Sequence, residues 1–236
     1  MKNIILVLSV LMMVALGIGT YYYQKQDQMT YPKQYQPNHP DEPQQPKPLR
    51  PVNYEKISYS LQNNQLNITY NKGTDWVKVP IEKDLLFDGE YRGNKQELIE
   101  GSYILTENRA VFLYAKGNMG SKKILLTYSL DQGKTWQDAV VKESFPSIRF
   151  RKVDFLNNHF GYVIISGDRT MSQEYSMALL THDGGKTWRA TKDSGNTSLI
   201  YDGGFIDEST GFLSYGIINP EKPDLYVTQN VPFSNL

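Results

Sequence analysis

All three tryptophans of this 236-residue chain stand at the same position of one recurring eight-residue frame. Ser129-Leu130-Asp131-Gln132-Gly133-Lys134-Thr135-Trp136 returns 52 residues later as Thr181-His182-Asp183-Gly184-Gly185-Lys186-Thr187-Trp188. An earlier copy, Thr69-Tyr70-Asn71-Lys72-Gly73-Thr74-Asp75-Trp76, has Asn for Asp and Asp for Thr. A worn fourth copy begins at Thr228-Gln229-Asn230, 47 residues after the third. Periods of this length are the mark of repeat architectures, in which each unit buries its apolar face only against its neighbours.

A second register agrees. Phe155-Leu156-Asn157-Asn158-His159-Phe160-Gly161-Tyr162 aligns with Phe205-Ile206-Asp207-Glu208-Ser209-Thr210-Gly211-Phe212, and Ile104 to Val111 is a looser copy. Each is a short apolar run, a polar turn and another apolar run, which is the grammar of a β-hairpin. Further strands are expected on either side of each Trp frame, giving four short strands per repeat. The chain is accordingly expected to be all-β, with 17 Tyr and 18 Gly in keeping with pleated surfaces and frequent turns.

The frame has its own mechanics. An Asp carboxylate is expected to accept backbone N–H groups a couple of residues on and so to close the turn. Gly133 and Gly185 supply positive φ without a Cβ penalty, and Gly73 holds the same place in the first copy. Trp76, Trp136 and Trp188 then enter the next strand and can fold into the space between sheets. Thr69, Asn71, Ser129, Asp131, Thr135, Thr181, Asp183 and Thr187 complete the set of expected structural turn residues.

These frames resemble the Asp-box, or BNR, repeat of sialidase-like, sortilin-like and photosystem-assembly-factor β-propellers. The resemblance spans residues 54–236 and is strongest in the two middle copies. It implies a partial or small propeller of four-stranded blades, about three to four in number, and a motif that marks a structural turn on the blade rim, away from the axial site. The worn fourth frame favours a shortened version of a longer ring.

The first 53 residues differ in kind. Ile4 to Thr20 carries no charge, and Tyr21, Tyr22 and Tyr23 follow it. Residues 1–23 are expected to form a transmembrane signal anchor, since Ile4 to Tyr23 as a helix would span about 30 Å. A cleaved signal peptide is the alternative, with secretion as its consequence. The only small-residue site, Ala15-Leu16-Gly17, lies inside the apolar run rather than after it, which favours the anchor. Residues 24–53 hold seven of the twelve prolines and read as a semi-rigid linker. The repeat domain would then be extracytoplasmic, held at the cell membrane by a single pass.

Chemistry is poorly represented. With 25 basic and 25 acidic residues there is no cationic excess for a nucleic-acid backbone. Cysteine is absent, the three histidines have no metal-ligand spacing, and no cofactor is expected. The arginine triad of sialidase-like enzymes has no counterpart in an early Arg-Ile-Pro, and Arg149 and Arg151, which flank the start of a blade, are expected in a solvated loop, with lining of the top face as the alternative. Glu107, Asp154, Asp207 and Glu208 lie near inner strands, where a glycosidase would need paired carboxylates. The chain is expected not to be an enzyme but to bind an unknown protein or glycan ligand, with the long loop Glu90–Gly101 as contact candidate. The alternatives are a glycoside-processing enzyme and a truncated relic.

Overall fold

The computed structural model describes residues 47–216 apart from Arg92, Met119 and Ser172, together with Leu225–Thr228 and, near the N-terminus, Met12–Val14, Leu16 and Ile18. The chain divides into two compact units, Met1–Gln45 and Pro46–Leu236. In the first unit the described residues are helical, with exposed apolar side chains. The expected spanning segment and linker lie mostly outside the described residues. Among the described residues no helix is long and apolar enough to cross a membrane.

The second unit is all-β. Its described strands form four antiparallel sheets in chain order. The first contains β1 (Ser58–Ser60), β2 (Gln65–Thr69) and β3 (Val77–Glu82), with short 3-10 turns at Gln62–Asn64, between β1 and β2, and at Lys83–Phe87, after β3. The second contains β4 (Tyr103–Leu105), β5 (Ala110–Asn118), β6 (Ser121–Ser129) and β7 (Gln137–Phe145). The third contains β8 (Ile148–Phe155), β9 (Gly161–Thr170), β10 (Gln173–Thr181) and β11 (Arg189–Ala190). The fourth contains β12 (Ile200–Phe205), β13 (Gly211–Tyr215) and β14 (Leu225–Thr228).

The Trp frames fix the correspondence between sheets. Each lies between two strands: β2 and β3, β6 and β7, β10 and β11. Thus β1 matches β5 and β9, and among the described residues the first sheet has no strand in the place of β4 and β8. The segment around Val52 runs beside β1 there, where Val52 N–H donates to the Tyr59 carbonyl at 2.9 Å. The fourth sheet, conversely, has β12, β13 and β14 in the places of β8, β9 and β10.

Burial shows why β5 and β9 read as continuous apolar runs. Ala110, Phe112 and Tyr114 enter a cluster with Leu66, Ile68 and Val79 of the first sheet. The alternate residues Val111, Leu113 and Ala115 enter a cluster with Val153, Val163 and Ile165 of the third. Tyr162 and Ile164, on the other side of β9, pack with Ile200, Phe205 and Tyr215 of the fourth. The sheets therefore stack face to face, and the middle two are buried on both faces. A sheet covered on both sides loses the apolar–polar alternation that a half-exposed strand shows.

The two ends of the stack differ. The face of the first sheet turned away from the second is polar, with Ser60, Asn67 and Lys78 in register across its three strands, and of these Ser60 and Asn67 are buried. The outward face of the fourth carries Phe212 beside Val227 and Ser214 beside Leu225, and Val227 and Leu225 are exposed.

Candidate functional site

The three Trp frames fold into one repeated turn. In the second, Ser129 Oγ donates to Asp131 Oδ1 at 2.8 Å and accepts the Gly133 N–H at 2.8 Å. Asp131 Oδ1 accepts the Thr135 N–H at 2.9 Å, and Oδ2 accepts the Thr135 hydroxyl at 2.6 Å. The third turn repeats every one of these bonds with Thr181, Asp183, Gly185 and Thr187, at 2.6–3.0 Å. The carboxylate thus bonds the residue four places on, not two, and the first-position hydroxyl holds the glycine. That relay through Ser129 and Thr181 was not anticipated, although the recurrence of Ser or Thr at the first position of the frame was its signal.

The first turn keeps the geometry with exchanged chemistry. Thr69 Oγ1 donates to Asn71 Oδ1 at 3.0 Å and accepts the Gly73 N–H at 2.9 Å. Asn71 Oδ1 accepts the Asp75 N–H at 2.9 Å, while Asn71 Nδ2 donates to Asp75 Oδ2 at 2.8 Å. Acceptor and donor have changed places, so the two departures from the frame compensate each other.

Two consecutive positions of each turn are left-handed: Lys72 and Gly73, Gln132 and Gly133, Gly184 and Gly185. The second position must be glycine for a further reason at Gly133. A Cβ built there would stand 2.8 Å from Val77 Cγ1 of the first sheet.

Electrostatics follow the bonding. The hydroxyl and N–H of Thr135 hold the Asp131 carboxyl down at about 2 against an ordinary 3.8. At Asp183 burial pushes upward, but the bonds from Thr187 and Thr181 outweigh it and bring the group to about 2. The second and third turns each lean on the sheet before them. Tyr70 of the first sheet is raised to about 12, by burial first and then by the charge of Asp131. Tyr128 of the second is raised by burial and then by Asp183.

Trp136 packs into the cluster between the first and second sheets, its ring centroid 6.1 Å from that of Phe112. Trp188 packs between the second and third, edge-on to Phe155 at 6.1 Å. Trp76 belongs to none of the three buried clusters; among the described residues no sheet precedes the first.

The carboxylates considered for catalysis are engaged. Glu107 pairs with Lys56 at 2.6 Å. Asp154 accepts the Phe155 N–H at 2.8 Å and the Tyr162 hydroxyl at 3.3 Å. Asp207 accepts the Ser209 and Thr210 N–H groups and is held below the usual carboxylate range by them. Glu208 stands 3.9 Å from His182. Asp207 closes a hairpin turn, Asp154 ties β8 to β9 within its sheet, and Glu107 and Glu208 reach residues outside their own sheets. Among the described residues no group of three His, Asp or Glu side chains is placed to hold a metal ion.

Arg149 and Arg151 are not the solvated loop residues expected. Both lie on β8. Arg149 makes a two-pronged bond to the fully buried Glu174 at 2.5 and 2.6 Å and donates to the Ile200 carbonyl at 2.6 Å. Glu174 also accepts the Ile200 N–H at 2.6 Å. The pair therefore clamps the fourth sheet to the third. Arg151 is 3 % exposed and donates to the carbonyls of Leu86 and Asp88, and burial brings it down to about 10. The loop 88–101 is pinned by that contact, by Glu90 N–H to the Ile148 carbonyl at 2.7 Å, and by Leu98 N–H to the Tyr59 hydroxyl at 3.0 Å. Sequence reasoning missed these roles because it could not see which loops an arginine on β8 would meet.

No family model and no characterised protein matches the sequence.

Proposed function

We propose that this chain is a membrane-anchored, extracytoplasmic Asp-box domain of β-propeller type that binds a protein or glycan ligand and performs no catalysis. The observation that carries the binding reading is the commitment of the rim carboxylates: Glu107 pairs with Lys56, Asp154 accepts the Tyr162 hydroxyl of the neighbouring strand, and Asp207 closes its hairpin turn. A glycosidase needs two carboxyl groups facing a shared space with matched protonation, and these are spent on structure.

Support for the propeller reading comes from the face-to-face stacking of successive sheets and from the matching placement of the Trp136 and Trp188 turns between them. The apolar run Ile4 to Thr20 supports the anchor. On the rim opposite the Trp turns, the β9–β10 hairpin presents Met171, 98 % exposed and left-handed at φ 50°. Exposed loops on a rigid stack are natural contact surfaces. That hairpin, with loop 88–101, is the surface we assign to ligand contact.

The test is capture from cell-envelope extracts by the full chain in detergent, with a parallel screen on fluorogenic glycosides. Specific enrichment of a protein or glycan that is lost on Met171→Asp, without glycoside turnover, is expected. Turnover abolished by Glu107→Gln or Asp154→Asn would establish the enzyme instead.

A further inference from the structure

The boundary between the third and fourth sheets is built differently from the one before it. Ala110 faces Ser129 across β5 and β6 as Gly161 faces Thr181 across β9 and β10, which sets the second and third sheets in register. Five residues along, the second sheet turns the cross-strand pair Ala115 and Ile124 toward the third, and both are buried in the apolar cluster there. At the same places the third sheet turns Ser166 and Ser176 toward the fourth. Ala178 likewise stands for Leu126, and on the incoming sheet Gly203 of β12 stands for Val153 of β8.

Ser166 and Ser176 are buried, and among the described residues neither hydroxyl has a hydrogen-bond partner. A hydroxyl taken from water without a partner opposes burial, whereas Ala115 and Ile124 gain from it. The earlier boundaries hold unpartnered atoms too, Tyr70 Oη and Arg109 Nη1, but on side chains with much else to pack. Tyr70 lies against the cluster between the first two sheets, and Arg109 covers the Phe155 ring at 3.9 Å. A serine has only its hydroxyl to offer.

The deficit is confined to one end of the boundary. Beside the Trp turns, Tyr162 stands for Val111 and packs on Phe205 with ring centroids 5.2 Å apart. At the other end, two residues before Ser176, Glu174 and its partner Arg149 hold the Ile200 backbone at 2.6 Å.

We propose that this boundary is a seam: the fourth sheet leaves the stack as a unit while the first three stay folded, with the Arg149–Glu174 clamp as its catch. A two-pronged ion pair depends on alignment and apolar contact does not, so a small displacement of the fourth sheet releases the clamp. The connection between the two sheets has room to give, since Gly195 is left-handed at φ 67° with nothing crowding a Cβ built on it. Opening uncovers Ile164, Ala178 and Leu180, an apolar face that the closed stack hides. The detached sheet has no second layer to pack on, so its amides exchange on release.

Amide hydrogen exchange of the full chain in detergent, read by mass spectrometry and corrected for intrinsic rates, tests the seam. Without denaturant, exchange across 200–215 is expected to be at least about tenfold faster than across 110–129. Ser166→Ala with Ser176→Ala removes both hydroxyls and adds no bulk. That pair should slow 200–215 at least about fivefold and leave 110–129 unchanged. Equal rates in the two wild-type segments would overturn the seam. So would an Ala pair that leaves 200–215 as fast as before or faster, since the hydroxyls would then be held by a partner. Equal slowing of both segments would overturn it too, because the chain would be opening as one.

Discussion

Asn71 and Asp75 do with exchanged donors and acceptors what Asp131 and Thr135 do, and that makes the first turn a direct test of the hydrogen-bond scheme. Asn71→Asp alone sets two carboxylates at a separation where an amide now donates at 2.8 Å, and should lower stability. Adding Asp75→Thr rebuilds the pattern of the other two turns and should restore it, with a coupling on the order of 1 kcal/mol in a double-mutant cycle followed by urea melts. Ser129→Ala strands the buried Gly133 N–H and should cost about 1–3 kcal/mol by the same measurement. The aspartates also set an acid limit. The Asp131 and Asp183 carboxyls sit at about 2 in the folded chain against 3.8 ordinarily, so each binds its proton more weakly when folded. Their contribution is therefore complete above the ordinary value and is lost as pH falls from about 4 toward 2. Tm measured across that window should fall steeply for the wild type and less steeply for Asp131→Asn.

At the scale of the element, the turn is a device for wedging an indole between one sheet and the sheet before it. Trp136→Ala and Trp188→Ala each open a gap in an inter-sheet cluster and should cost about 3 kcal/mol, toward the low end for large aromatics because both rings are only half-buried. Trp76→Ala should cost clearly less, since its ring lies outside the inter-sheet clusters. Equal losses in chemical melts for all three would contradict the stacking order. Glycine obeys the same logic. Gly133→Ala forces a methyl onto Val77 at a left-handed φ of 81° and should be more damaging than Gly73→Ala, whose nearest neighbour is the Trp76 ring at 3.3 Å.

For the whole molecule, the order of the stack is secured by polar ties as well as by apolar clusters. Glu174 is the strongest example, because it accepts from Arg149 on β8 and from Ile200 at the start of the fourth sheet. Glu174→Ala would leave that guanidinium without its carboxylate and should cost about 3–5 kcal/mol. The loss should be uneven: hydrogen exchange is expected to quicken across 200–215 while 110–129, two sheets away, stays protected. Uniform loosening would mean that the fourth sheet is not an independently docked layer.

The four-strand period, the positions of the turns and the all-β class were legible because each is a local matter. A left-handed glycine, a carboxylate within reach of N–H groups a few places on, and a run of apolar residues between polar turns are written in consecutive residues. The exchanged pair Asn71 and Asp75 was visible as letters, but that the two changes compensate required coordinates. Arg149 and Arg151 were misjudged because the partners that bury them, Glu174 and the Leu86–Asp88 backbone, are 25 and more than 60 residues away along the chain.

The sequence by itself determined the repeating unit, since turn closure and strand alternation depend on neighbours along the chain. Only the tertiary structure decided which face of each sheet meets which neighbour, and that the first sheet ends in polar residues and the fourth in apolar ones. Those outcomes depend on surfaces brought together from distant segments, and burial is a property of the assembled stack that no single repeat contains.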